Sequence, residues 1–312
     1  MHIFVSGSLA YDRIMDFPGR FADHILPEKI HILNVCFMVN GLTERFGGTA
    51  GNIAYNLALL GEKPVILATA GRDFGLYQEW LTSLDLPLNG IRLIPEEFTA
   101  GAYITTDLAD NQITGFNPGA MKHESHYRFD GADPMASLAI IAPGNLADML
   151  AYSRRYKEMG LPYIFDPGQS IPAWGPAELR EMATGALALI VNDYEHELFR
   201  QKTGLADGEL QNLAQALIIT KGEEGSELFT CAGRKVVPSA KPQRVVDPTG
   251  AGDAYRAGLI KGLCLGLPWE AAALLASTMA SFAVEQAGTQ EHRVTLADFR
   301  QRYRDNFGEP PL

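Results

Sequence analysis

A carboxylate directly follows a glycine-rich turn in the stretch DPTGAGD, which runs from Asp247 to Asp253. The glycines allow a sharp turn without Cβ clashes. A helix is predicted over 253–265, and its unpartnered first N–H groups form, with the helix dipole, a site for an anion. Asp253 beside this site can take a proton from a hydroxyl while the site holds a phosphoryl group in transfer. The candidate catalytic residues are Asp253 as general base and Gly250, Ala251 and Gly252 as the anion hole.

A second glycine turn lies in the stretch FGGTAGN, from Phe46 to Asn52, ahead of a helix predicted over 51–60. Gly47 and Gly48 allow a ligand to approach the backbone, and Asn52 offers both a donor and an acceptor. Each turn has a plainer interpretation, because a helix can begin with an acid or an asparagine that has no ligand to bind. Short motifs of this size often arise by chance, so either turn alone leaves both interpretations open.

Together, and in this order, the two turns resemble the two signatures of the ribokinase (PfkB) family of sugar and nucleoside kinases. The resemblance extends from Ser8 to about Gly288, and it implies an ATP-dependent kinase. Asp12, which follows Ser8 after the first strand, resembles the family's acid that binds sugar hydroxyls, and a carboxylate can accept from two vicinal hydroxyls. The resemblance assigns the nucleotide to Asn192, Thr220, Lys221, Gly222 and Gly225, and the substrate to Ser8, Asp12, Gly47, Gly48 and Asn52.

The same resemblance implies two cations. Asn192 and Glu195 match the family's NxxE motif, associated with Mg²⁺ and phosphate, and Mg²⁺ usually keeps several waters, so these side chains are expected to act through water. A monovalent cation, K⁺, is expected behind the glycine turn, near Asp247, Thr249 and the later loop at 287–288. The chain contains no GxxxxGK[ST] motif, and no GxGxxG with an acid about 20 residues later, which argues against Walker-type kinases and dinucleotide enzymes.

Composition excludes several other classes. The formal net charge of the 312 residues is -11, which disfavours binding to nucleic acid or to an anionic membrane. The three cysteines are widely spaced and form no CxxC pair, so we expect free thiols in a reducing compartment. The N-terminus does not resemble a signal peptide, and no apolar stretch approaches the ~18 residues of a membrane span. We therefore expect a cytoplasmic protein, either a monomer or a homodimer.

Short apolar strands that alternate with amphipathic helices must position these residues. Such alternation predicts a parallel sheet covered on both faces, with ligands beyond the carboxyl ends of the strands. The predicted strands are 2–5, 64–70, 138–142, 163–165, 187–191, 217–220 and 227–229, and a further helix is predicted over 146–159. Several polar or glycine-rich turns follow these strands directly, which is where a site is expected.

Two segments break the pattern and predict a small antiparallel lid. Within the segment 30–46, apolar residues alternate with polar ones up to a predicted hairpin turn at Asn40-Gly41. A second hairpin is predicted over 102–117 around Asp110-Asn111. We predict one α/β domain over 1–312 that is ribokinase-like. It has a mostly parallel central sheet, helices on both faces, and a β-sheet lid formed by insertions at about 12–46 and 100–121.

The lid segments bear on the substrate. Tyr103, Phe116, Met121 and Phe165 are candidates to cover a flat base by stacking, and Gln169 is a candidate to hydrogen-bond a base or sugar edge. The stretches RFGGTAGN and GFNPGAM resemble prokaryotic broad-specificity nucleoside kinases of the family, which implies that nucleosides such as inosine, guanosine, adenosine and cytidine are phosphorylated at the 5′-hydroxyl. The alternatives are a ribose or hexose kinase, a non-catalytic nucleoside or sugar sensor on the same fold, or a structural or interaction protein. The intact Asp253 argues against the sensor.

Overall fold

A nine-stranded sheet and a separate four-stranded sheet form the framework of the computed structural model, which describes residues 1–311. The strands are β1 (His2–Ser6), β2 (Ala10–Asp16), β3 (Asn40–Gly47), β4 (Val65–Gly71), β5 (Ile91–Ile94), β6 (Ala100–Thr106), β7 (Gln112–Asn117), β8 (Ser137–Ile141), β9 (Tyr163–Phe165), β10 (Ala188–Asn192), β11 (Ala216–Thr220), β12 (Ser226–Thr230) and β13 (Gly233–Val237). The helices are α1 (Thr49–Leu59), α2 (Gly75–Ser83), α3 (Leu146–Met159), α4 (Pro176–Ala183), α5 (Asp193–Thr203), α6 (Asp207–Gln211), α7 (Ala251–Cys264), α8 (Trp269–Ala283) and α9 (Leu296–Phe307).

The larger sheet has the strand order β13-β12-β11-β10-β9-β8-β1-β4-β5, and it is parallel from β11 to β5. Only β12 and β13, at one edge, add antiparallel pairings. Alternate residues of each strand point to opposite faces, so Ile3 and Val5 enter one core while Phe4 enters the other. Both cores are apolar, which is why the strands are nearly continuous hydrophobic runs.

Helices cover both faces of this sheet. Helices α1, α2, α7 and α8 pack on the face of Val5, and α3 to α6 pack on the face of Phe4. Helix α9 joins α7 and α8 in a third apolar cluster around Phe299. The expected mostly parallel α/β fold is therefore confirmed. Within residues 1–311, no helix is long and apolar enough to cross a membrane.

The small sheet has the order β3-β2-β6-β7, and it joins β2 to β3 antiparallel and β2 to β6 parallel. The hairpin around Asp110-Asn111 is confirmed, since it joins β6 to β7 and Asp110 adopts a φ of 59°. The hairpin turn expected at Asn40-Gly41 is wrong, because these residues begin β3, and Asn40 pairs with Asp16 of β2. The alternating residues before them form a connection instead, in which Phe37 packs 4.8 Å from the ring centroid of Phe17.

Parallel strands bring their carboxyl ends to one edge of the sheet. Ser6, Ile141, Phe165, Asn192 and Thr220 end β1, β8, β9, β10 and β11, which are neighbours in the sheet. The turns after these strands therefore lie side by side, and α1 and α7 begin beside them. Residues that are more than two hundred positions apart in the chain meet at this edge.

Candidate active site

A cavity of about 690 Å³ lies at this edge, and residues of the small sheet form part of its wall. It gathers most of the predicted site residues. These are Ser8, Asp12, Gly48, Asn52, Phe116, Gln169, Asn192, Glu195, Thr220, Thr249, Gly250, Gly252 and Asp253. Both glycine turns therefore open into one space, although nearly two hundred residues separate them.

Asp253 lies in the first turn of α7, at the wall of this cavity. Its Oδ2 accepts a hydrogen bond of 2.8 Å from Asn52 Nδ2. Burial raises the pKa of Asp253 to about 7, and the carboxylates of Asp166 and Glu195 add to the increase, while Asn52 and Arg256 oppose it. A carboxylate with a pKa near neutrality is suited to proton transfer, because its charged and neutral forms are both accessible.

The glycine turn before Asp253 opens the helix as the sequence predicts. Gly250 precedes α7 with a φ of 81°, a conformation that favours glycine, and a Cβ there would lie 3.0 Å from Thr289 Cγ2. The expected anion hole needs one correction. The amide of Ala251 donates to the carbonyl of Pro248 at 3.2 Å, so it is already paired. Within residues 1–311, the amides of Gly252 and Asp253 have no such acceptor and remain available to an anion.

A buried ion pair that the sequence analysis missed lies beside Asp253. Arg256 donates to both oxygens of Asp166, at 2.5 Å from Nε and 2.9 Å from Nη2, and both side chains line the cavity. Arg256 Nη1 also donates to the carbonyl of Gly252 at 3.1 Å. Two signals were available. Arg256 lies one helical turn after Asp253, and Asp166 directly follows a buried strand.

On the opposite wall, Asp12 lies against the other glycine turn. A Cβ at Gly47 would lie 2.7 Å from Asp12 Oδ2, and one at Gly48 would lie 2.6 Å from the carbonyl oxygen of Ser8. Gly48 also has a φ of 87° and meets backbone atoms, so this position requires glycine, whereas a side chain at Gly47 would displace the Asp12 carboxylate. Burial raises the pKa of Asp12, although Arg45 opposes the increase. Gly47 lies behind Asp12 and is not part of the cavity wall.

Asn192 and Glu195 face the cavity and also cap α5. The amide of Glu195 donates to Asn192 Oδ1 at 2.7 Å, and the amide of Asn192 donates to Glu195 Oε2 at 2.8 Å. This reciprocal pair is a capping box, so the NxxE spacing has a structural use at the same time. Burial, with a contribution from Asp166, raises the pKa of Glu195. Glu195 Oε1 takes no part in this box, and a carboxylate oxygen is a hard donor that suits Mg²⁺ acting through water.

Several predicted residues lie outside the cavity. Tyr103 follows Ala102 on β6, so its side chain projects from the face of the small sheet that is turned away from the cavity. There its hydroxyl accepts from Arg13 Nη1 at 3.0 Å. Tyr103 is therefore not among the residues that line the cavity. Phe165 is fully buried in the core. Among the residues expected to bind the nucleotide, Lys221, Gly222 and Gly225 lie beyond the cavity wall, and Lys221 forms an ion pair with Glu227.

Asp247 also lies outside the wall, and it links two loops. Its Oδ1 accepts from the amide of Thr249 at 2.9 Å, and its Oδ2 accepts from the amide of Gly288 at 3.0 Å. Burial alone would raise the pKa of Asp247, but these hydrogen bonds and Arg45 lower it below its ordinary value. The carboxylate therefore ties the glycine turn to the loop after α8, which is the region where a monovalent cation was expected.

Known proteins resemble the chain along most of its length. The model of the pfkB family of carbohydrate kinases matches residues 21–295. A nucleoside kinase of Methanocaldococcus jannaschii is 32% identical over 273 residues, covering 86% of this chain and 88% of that protein. The structure of Burkholderia thailandensis nucleoside kinase in complex with inosine has a TM-score of 0.87 and 40% identity, covering 99% of each chain. The same kinase in complex with ADP-inosine has a TM-score of 0.85 and 41% identity, covering 99% of this chain and 97% of that one.

Proposed function

We propose that this chain, which belongs to the pfkB family of carbohydrate kinases, transfers the γ-phosphoryl group of ATP to the 5′-hydroxyl of a nucleoside. The observation that carries the proposal is the arrangement around Asp253, whose carboxylate lies in one cavity with the side chains of Asn52 and Asp12. The amides of Gly252 and Asp253, which have no backbone acceptor within residues 1–311, lie beside them. The likeness to a nucleoside kinase in complex with inosine supports a nucleoside as the acceptor. The likeness to its ADP-inosine complex supports an adenine nucleotide as the phosphate donor.

The reaction assigns each group a separate task. Asp253 takes the proton of the 5′-hydroxyl while the hydroxyl oxygen attacks the γ-phosphorus. The bond from the γ-phosphorus to the β,γ-bridging oxygen then breaks and releases ADP. The amides of Gly252 and Asp253 stabilise the negative charge of the group in transfer. Asp12 and Asn52 hold the ribose hydroxyls. Asp12 supplies acceptors, while Asn52 supplies a donor through Nδ2, since its Oδ1 accepts from Gln290.

The base and the cations occupy the rest of the site in this proposal. Phe116, Met121 and Gln169 line the cavity where a base would extend from the ribose. Asn192 and Glu195 would hold Mg²⁺ through water, and a metal bound there would supply positive charge near the donor phosphates. Asp247, Thr249 and the loop at 287–288 form the region for K⁺. The four-stranded sheet acts as a lid over the nucleoside within a single domain.

A substrate panel tests the proposal. Ribose, fructose, adenosine, inosine, guanosine and cytidine are each incubated with ATP and Mg²⁺, and ADP release is measured. We expect the nucleosides to be phosphorylated and the free sugars to be poor acceptors. A site built to hydrogen-bond a hydroxyl strongly rejects the analogue that lacks it, so 2′- and 3′-deoxyinosine should also be poor. Preference for ribose over every nucleoside would contradict the proposal.

Asp253→Asn is the control for catalysis, because it keeps the shape of the side chain and removes its basicity. General-base contributions are typically ~10²–10⁴-fold, so kcat should fall within that range with every accepted nucleoside. Some activity should remain, because positioning and electrostatic stabilisation contribute much of the rate in phosphoryl transfer. A kcat near that of the wild type would remove Asp253 from the role of base.

A further inference from the structure

A chain of three hydrogen bonds runs from Trp80 to Asp253 through the interior. Trp80 Nε1 donates to Gln290 Oε1 at 2.9 Å, and Gln290 Nε2 donates to Asn52 Oδ1 at 3.0 Å. Asn52 Nδ2 then donates to Asp253 Oδ2 at 2.8 Å. Gln290 and Asn52 are both buried side chains, and the bond between them lies in the interior. We call Trp80, Gln290 and Asn52 the amide relay.

The chemistry of Trp80 fixes the direction of every bond in the relay. An indole N–H can only donate, whereas the oxygen and nitrogen of an amide side chain can exchange places. Gln290 must therefore turn its oxygen to Trp80 and its nitrogen to Asn52, and Asn52 must turn its nitrogen to Asp253. The second hydrogen of Gln290 Nε2 is also used, since Tyr77 accepts it at 2.7 Å and donates in turn to the carbonyl of Gly47 at 2.8 Å.

We infer that Gln290 and Trp80 are positioning residues, which hold the Asn52 amide with its N–H directed at Asp253 and so favour the ionised carboxylate. This inference deepens the proposed function and rests on it for the catalytic meaning of Asp253. Neither residue touches the cavity, and both act through Asn52. The other charged groups that face Asp253 are Arg256 on its own helix, Asp166 after β9 and Glu195 on α5.

The relay makes a specific prediction about Gln290→Met, which keeps the volume and removes the three hydrogen bonds of this side chain. Asn52 is then free to turn its oxygen to Asp253, which disfavours the ionised form. A few N–H bonds together lower a carboxyl pKa by about 2 units. Loss of the one N–H bond from Asn52 should therefore raise the pKa of Asp253 by about one unit. Trp80→Phe should raise it less, since Gln290 remains and Tyr77 still accepts from its Nε2, but the indole no longer holds Oε1 in place. The double variant should match Gln290→Met alone, because Trp80 acts only through Gln290.

The measurement is the titration of the Asp253 carboxyl by ¹³C NMR in the nucleoside-free protein, with Asp253→Asn used to assign the signal. Trp269→Phe is the matched control, because it makes the same substitution at the start of α8, and it should leave the titration unchanged. Thermal unfolding identifies variants that do not fold. If Gln290→Met does not fold, Trp80→Phe alone decides, and an upward shift is still expected.

Three results would overturn the inference: no shift in either folded variant, a downward shift, or a double variant whose shift is the sum of the single shifts. The titration needs no turnover, so it separates this inference from the proposed function. An upward shift in a protein that phosphorylates no nucleoside would contradict the proposed function and support the relay. Nucleoside phosphorylation without any shift would contradict the relay alone.

Discussion

Asp253 lies among charges of both signs, and its neighbours should move its pKa in opposite directions. Asp166 and Glu195 raise the pKa, and Arg256 lowers it. Asp166→Asn should therefore shift the acidic limb of the kcat/KM profile to lower pH, and Arg256→Gln should shift it to higher pH, each by about one unit. The measurement is kcat/KM for inosine between pH 5 and pH 9. If both variants shift the limb in the same direction, the pair acts through structure and not through charge.

Loss of one member of this ion pair should destabilise the protein more than loss of both. Arg256→Gln leaves Asp166 buried without a partner, and loss of one partner of a buried pair typically costs 3–5 kcal/mol. Thermal unfolding should be compared with that of Asp166→Asn/Arg256→Gln, which removes both charges and should recover part of the loss. If Arg256→Gln does not fold, the direction of the shift in Asp166→Asn still tests the electrostatic effect.

At the scale of elements, the loop after α8 holds α1 at two points. Asn52 and Asn56 are one helical turn apart, and they meet Gln290 and His292, which are two residues apart. Asn56 Nδ2 donates to the carbonyl of Asn52, so Asn56 Oδ1 must accept and His292 Nε2 must carry the proton. Within residues 1–311, His292 Nδ1 has no hydrogen-bond partner. The neutral ring is therefore the form that this loop accommodates.

His292 should make the protein less stable in acid. Burial, with Arg293 nearby, lowers the pKa of His292 from 6.5 to about 4 in the folded protein, so the unfolded chain binds the proton more readily. The stabilising contribution is complete above about pH 6.5 and is lost as the pH falls towards 4. Between pH 7.5 and pH 5, wild type should lose about 2 kcal/mol of unfolding free energy relative to His292→Gln.

Urea denaturation at several pH values measures the unfolding free energy of both proteins. Subtraction of one value from the other cancels the contributions of groups common to both, such as Asp253. His31→Gln is the matched control, because it makes the same substitution at an exposed histidine. A pH-independent difference for His292→Gln would mean that the buried ring is charged or that the loop opens before it titrates.

The elements were predictable where periodicity and punctuation agreed. Helix α3 begins and ends at the predicted residues, because Asn145 caps it and Gly160 follows in the left-handed conformation. Helices α1 and α7 begin two residues early, because the helical geometry starts directly after Gly48 and Gly250. The hairpin at Asn40-Gly41 failed for a different reason. Its strand partner is β2, far earlier in the chain, and local turn preferences carry no information about such a pairing.

The site was predictable as far as short motifs reach. Both glycine turns and the Asn192–Glu195 pair line one cavity, because each follows a strand or begins a helix at the same sheet edge, and Asp12 joins them from β2 of the small sheet. The Asp166–Arg256 pair and the amide relay were not found, since they depend on contacts between distant segments. Tyr103 was misplaced by one residue of strand register, because neighbouring positions on a strand face opposite sides.

At the scale of the whole molecule, the small sheet has one face towards the cavity and one face away from it. Phe116 projects into the cavity and Tyr103 projects from the other face against Arg13. Phe116 remains 53% exposed, so a bound nucleoside would have apolar surface to cover. Closure of this sheet over the nucleoside would exclude water, which otherwise competes with the 5′-hydroxyl for the phosphoryl group.

We expect β6 and β7 to gain protection from hydrogen exchange when inosine binds. The experiment compares exchange with and without inosine, and Asp253→Asn can be used so that ATP is consumed only slowly when it is added. Protection around α7 without protection in β3, β6 or β7 would mean that the small sheet does not close. Ribose, which lacks the base, should protect these strands less than inosine does.

The two aromatic residues provide a matched pair for the same hypothesis. Stacking of a base on an aromatic ring is typically worth ~1–3 kcal/mol, so Phe116→Ala should raise KM for inosine by roughly tenfold. Tyr103→Ala removes a ring of similar size from the same sheet but from the face turned away from the cavity, so KM should change little. The comparison of the two variants separates contact with the base from general loosening of the sheet. Equal increases in KM for Phe116→Ala and Tyr103→Ala would assign the effect to the sheet itself. An equal effect of Phe116→Ala on KM for ribose and for inosine would argue that the cavity binds sugar without regard to a base.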